Sequence, residues 1–188
     1  MSRLMMPLTV FGLLLGFAVS ASAATTEGLE QGDPIGAFYV TKVAGAEDDG
    51  VEQGEQLCYR CKYGSRPMVM VFARDTGDNV QKLVKEIDSA VTANQEAELK
   101  GLLTLLGDDA AKLKESAAKV AKTSNAKNVP VVVAKDNVTG PASYKINEKA
   151  AVTVVVANDS QVVATHKFDT ADSVDVAAIM GEVKKMLK

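Results

Sequence analysis

Met68-Val69-Met70-Val71-Phe72-Ala73 is an unbroken run of six apolar residues, and this run with the helical pattern after it decides the fold. A short continuous run of this kind marks a strand buried on both faces, not one with a wet side. Val80, Leu83, Val84, Ile87 and Val91 then recur at helical spacing. They predict an amphipathic helix, with Asp78 as its expected N-cap. Residues 102–106 read as a second buried strand, Leu113, Ala117, Val120 and Ala121 as the stripe of a second helix, and residues 130–134 as a third strand. Helical crossovers between buried strands imply a parallel sheet covered on both sides.

Further along, residues 152–157 and 161–165 are two apolar runs separated by Asn158-Asp159-Ser160. That separator is turn chemistry, so the two runs should form a hairpin and add an antiparallel edge. A last helix is expected from about Asp172, burying Val176, Ile179, Met180, Val183 and Leu187. Lys184, Lys185 and Lys188 fall at its end, where the helix dipole favours cations. On the N-terminal side, Phe38, Val40 and Val43 suggest a short first strand. Residues 24–34 read as a flexible polar leader, and the acidic, Gly-rich residues 44–56 as an exposed loop. The expected class is α/β: a central mixed sheet, helices on both faces, and a C-terminal β-hairpin plus helix.

The first residues have a different job. Arg3 precedes an apolar run over residues 8–19, and Ala21-Ser22-Ala23 is a small-x-small cleavage pattern. This is the layout of a signal peptide cut after Ala23. The run is shorter than the roughly 20 residues a spanning helix needs. The organisation expected is therefore a signal peptide over 1–23, a leader with the first strand and the acidic loop over 24–56, and a core over 57–188, the whole domain covering about 32–188. The protein is expected in the periplasm or secreted, with no membrane attachment after cleavage.

Lys and Arg number 21 in the full chain against 24 Asp and Glu. That balance argues against a nucleic-acid binder, which is usually basic. There is no Trp, so stacking platforms for bases or sugars are not evident.

The chain has two cysteines, in Cys58-Tyr59-Arg60-Cys61, placed before the apolar strand on what should be a loop. Four chemistries fit this spacing. A reactive dithiol is one, with Arg60, Lys62 and Arg66 supplying the positive charge that lowers a thiol pKa. A static disulfide is another, worth about 2 kcal/mol for so short a loop. A metal site would need four ligands. The chain offers only two Cys and His166, so neither metal nor cofactor is expected. Free thiols are the fourth. His166 itself reads as an edge-strand residue, and Arg74-Asp75-Thr76-Gly77-Asp78 as helix capping.

The element order resembles the thioredoxin superfamily, in its redoxin branch, over roughly residues 32–187. The matching stretches are Gly32-Asp33-Pro34-Ile35-Gly36, the strand at Met68, and the closing β-β-α unit. Leu57-Cys58-Tyr59-Arg60-Cys61-Lys62-Tyr63-Gly64 with Arg66-Pro67 is similar to a stretch of exported bacterial members. The resemblance implies thiol-disulfide chemistry on protein thiols. It also implies a Cys-x-x-C directly after the central strand and a Pro before the hairpin. Here the strand leads into Ala73-Arg74-Asp75-Thr76-Gly77-Asp78, and the hairpin is preceded by Lys149-Ala150-Ala151. Two functions stand as expectations: a redox protein using the displaced Cys58 and Cys61, or a non-catalytic binding module in which they form a structural disulfide.

Overall fold

The computed structural model describes residues 28–188, so the expected signal peptide and the expected cut after Ala23 lie outside the described residues. The elements are β1 Val40–Ala44, β2 Gln56–Leu57, α1 Tyr59–Tyr63, β3 Met68–Ala73, α2 Asp78–Ala93 and β4 Lys100–Leu105. They continue with α3 Ala110–Ser124, β5 Val131–Ala134, β6 Val152–Asn158, β7 Gln161–Phe168 and α4 Val176–Met186. Single 3-10 turns sit at Ala142–Tyr144 and Ala171–Ser173.

One seven-stranded sheet runs in the order β2-β1-β5-β4-β3-β6-β7. β3, β4 and β5 are parallel, while β1, β6 and β7 pair antiparallel to their neighbours. The crossovers β3-α2-β4 and β4-α3-β5 both step the same way along the sheet. Right-handed crossovers then put both helices on one face. That face carries Val69, Val71 and Ala73 of β3 against Leu83 and Ile87 of α2, Ala117 and Val120 of α3, and Ile179 and Val183 of α4. Helices do lie on both faces, but unequally. The second face shows Met68, Met70 and Phe72, and is covered by α1, the 3-10 turn at Tyr144 and the segment around Ile35 and Phe38. Phe38, Phe72 and Tyr144 meet there with ring centroids 5.1–5.6 Å apart.

Several boundaries differ from the sequence reading for local reasons. Gly77, not Asp78, holds the N-cap of α2 and makes no side-chain cap bond. Asp78 is instead the first helical residue, where a carboxylate still favours the dipole. The last helix starts at Val176 with Asp175 as cap, because the stretch near Asp172 is spent on a separate capped turn. The leader is not loose over its described part. Gly32 N–H donates to Val162 O and Val162 N–H to Asp33 O, so it pairs with the start of β7. The hairpin turn is tight, with Asp159 and Ser160 at φ 49° and 66°. Two residues with positive φ are the signature of a type I′ turn.

Gly101 of β4 lies where α2 meets the sheet. A Cβ there would come 2.6 Å from Ile87 Cγ2 and 2.8 Å from Val129 Cγ2. Gly101→Ala is therefore expected to lower stability by about 1–3 kcal/mol through overpacking. A shift in the urea midpoint at unchanged slope checks this.

Candidate functional site

The cysteine segment is a short helix, not the loop the sequence suggests. Residues three apart meet on one helical turn, and Cys58 and Cys61 are joined by a disulfide with Cα atoms 5.2 Å apart. Cys58 is the N-cap of α1, and its Sγ accepts the Cys61 N–H at 3.1 Å. Gly64, at φ 64°, ends the helix. The strand next in the chain does not prevent a helix, because Gly64 and three further residues absorb the reversal.

The two sulfurs are placed differently. Cys58 is buried, at 8% exposure, while Cys61 faces solvent. The helix is held down by its tyrosines. Tyr59 and Tyr63 are buried, with rings 5.5 Å apart. Tyr63 OH donates to Gly101 O at 3.2 Å, which docks α1 over the start of β4. Burial, chiefly, pushes both phenols well above the ordinary tyrosine range, and the Asp49 carboxylate adds to it.

A buried ion pair completes the support, and it has no counterpart in the sequence reading. Lys42 Nζ donates to Ala46 O and Val51 O at 2.8 Å and to Asp49 Oδ1 at 2.7 Å. Asp49 Oδ2 accepts the Tyr59 OH at 2.6 Å. The acidic segment 44–56 is thus no free loop: Ala46 and Val51 are buried, and β1, the loop and α1 are tied through one carboxylate. The signal was in the strand parity, since Lys42 stands two residues from the buried Val40 on β1, before the irregularity between Lys42 and Ala44.

Of the three cations near the pair, Arg60 Nε donates to Ile35 O at 3.1 Å and Arg66 pairs with Glu98 at 2.9 Å. Lys62 is exposed. His166 sits on β7, half-buried and stacked on Phe168 with ring centroids 6.3 Å apart, away from the cysteines.

The loop after β3 holds Arg74 but no cysteine. Arg74 Nη1 donates to Val138 O at 2.6 Å, and Asp75 is exposed. The whole of β3 separates this loop from the cysteine helix along the chain, about 20 Å for a six-residue strand. The residues directly before the hairpin contain no proline, and Pro130 stands before β5 instead.

No protein-family model matches the chain, and no curated protein sequence does. Solved structures do. A protein assigned to thiol:disulfide interchange (DsbE) from Chlorobium tepidum is 12% identical, covers 85% of this chain and 99% of its own, and gives a TM-score of 0.61. The thioredoxin domain of a thiol-disulfide oxidoreductase from Bacteroides vulgatus is 11% identical over the same shares, also at 0.61. AhpC from Mycobacterium tuberculosis is 9% identical, covers 85% and 99%, and reaches 0.58. Sheet order, closing hairpin and helix, and these likenesses together show a thioredoxin-like fold.

Proposed function

We propose that this is an exported thiol-disulfide exchange protein whose reacting group is the displaced Cys58–Cys61 disulfide. Export rests on the apolar run and the Ala21-Ser22-Ala23 pattern; among the described residues no helix is long and apolar enough to cross a membrane. The observation that carries the redox reading is the asymmetry of the two sulfurs, Cys61 exposed and Cys58 buried at a backbone N–H.

Exchange needs an accessible sulfur to attack and a stabilised sulfur to leave. A partner thiolate attacks Cys61 Sγ along the S–S axis. The S–S electron pair passes to Cys58, which leaves as a thiolate accepting the Cys61 N–H. A second thiol of the partner then attacks its own sulfur in the mixed disulfide and releases Cys61. Two electrons and two protons have moved from the partner dithiol to the protein. In the reverse direction the exposed Cys61 is the attacking thiolate.

Cys58→Ser keeps an N-capping oxygen and leaves Cys61 accessible, so it should accumulate mixed disulfides with protein thiols. Cys61→Ser should trap none. Trapping by neither variant would overturn the role assigned to Cys61.

The second reading, a structural staple, is favoured by the buried tyrosines that α1 carries. The reduction potential separates the two. Equilibration in graded glutathione buffers should give a midpoint above about −230 mV for an exchange-active pair, whereas a pair still oxidised below about −300 mV would be structural.

A further inference from the structure

A cleft of about 670 Å³ opens beside α1. Three lysines reach its wall from separate elements: Lys62 from α1, Lys100 from the start of β4, and Lys127 from the loop between α3 and β5. Among the described residues none of the three ammonium groups has an ion-pair or hydrogen-bond partner. Arg66 on the same wall is matched by Glu98. Two carboxylates also line the cleft. Asp49 is committed to Lys42 and Tyr59, which leaves Asp48 alone to oppose three free cations. The chain as a whole carries a formal charge of −3, so this concentration of positive charge runs against its average.

Lys62 comes directly after Cys61, and both are exposed. We infer that the cleft receives an acidic peptide segment next to the reacting cysteine of the thiol partner. The inference rests on the exchange reading and names the substrate class for that same disulfide. Clefts of roughly 300–1,000 Å³ suit a short stretch of ligand more than a folded surface. Carboxylates would gain charge-assisted hydrogen bonds from the lysines. The same field would concentrate an anionic thiolate near Cys61 and speed its encounter.

Two measurements test this. The first compares the rate of disulfide reduction by mercaptosuccinate, a doubly carboxylated thiol, with that by neutral mercaptoethanol, each expressed per thiolate. At low salt mercaptosuccinate should be about tenfold faster, and the advantage should vanish at high salt. Lys100→Gln with Lys127→Gln should remove most of it by slowing mercaptosuccinate far more than mercaptoethanol, whose attacking thiolate carries one negative charge to the other's three. Equal rates for the two thiols at low salt would overturn the proposal. The second measurement needs no redox step. A cysteine-free oligoglutamate peptide titrated into the oxidised protein should shift NMR signals of Lys62, Lys100 and Lys127, and shift them far less in the double variant. Should neither thiol reduce the disulfide while the peptide still binds at the lysines, the exchange reading fails and the acidic-peptide site stands. Absence of peptide shifts removes the site whatever the redox result.

Discussion

Replacing Lys42 by alanine is expected to lower the unfolding free energy by about 3–5 kcal/mol, the range for breaking a buried ion pair from one side. Lys42 is 2% exposed, and its ammonium is accepted by two carbonyls and one carboxylate of the segment 46–51. Alanine would leave all three acceptors without their donor. Asp49, 15% exposed, would be a carboxylate without its cation. The Tyr59 OH and Val51 N–H bonds to Asp49 would remain, so the loss should stay within the stated range and not exceed it. Urea unfolding monitored by far-UV circular dichroism measures the change. Asp49→Asn should cost less alone, and the double variant less than the two losses added, because the residues share one network. A loss below about 1 kcal/mol for Lys42→Ala would mean that water replaces the ammonium and that the pair does not organise the loop.

The sheet was legible because its strands are unusually apolar. β3 is buried over all six residues, so its run needs no help from partners to be recognised. The hairpin was legible for the same reason, with Asn158-Asp159-Ser160 between two valine-rich runs. The hidden features were long-range and polar. Lys42 sits at an inward position of β1, where an apolar residue is the rule, and its acceptors lie in a segment whose composition suggests an exposed loop. Composition reports the average exposure of a segment, not the one carboxylate that folds back. The cysteine helix was hidden because five residues carry too little periodicity to distinguish a helix from a loop. Cys58 and Cys61 were visible as a pair, but which sulfur faces water depends on Tyr59 and Tyr63 docking inward, and that requires the sheet beneath them. The basic cleft draws lysines from three separate elements and has no linear signature at all.

Alkaline pH should unfold this protein more steeply than most domains, and the cause is three buried tyrosines. Burial is the main reason that the Tyr59, Tyr63 and Tyr144 phenols hold their protons well above the ordinary range. At Tyr59 and Tyr63 the Asp49 carboxylate adds to this, and at Tyr144 the Arg60 charge works weakly against it. In the unfolded chain each phenol titrates near the ordinary value of about 10. The folded pKa is therefore the higher one, and the folded state binds more protons above that pH. The stabilisation is fully present below about pH 10 and is lost as pH rises above it, by about 1.4 kcal/mol per pH unit for each tyrosine. Three tyrosines together give about 4 kcal/mol per pH unit. Against a typical domain stability of about 5–15 kcal/mol, two or three units above the tyrosine range are enough to unfold the chain. Lysines titrate nearby, so the decisive measurement is a difference. Urea unfolding at stepped pH should give Tyr63→Phe a slope about 1.4 kcal/mol per unit shallower than the parent, because every other group is common to both. Superimposable slopes would show that Tyr63 ionises equally in the folded and unfolded chain. The buried anchor assigned to it beneath the disulfide helix would then be wrong.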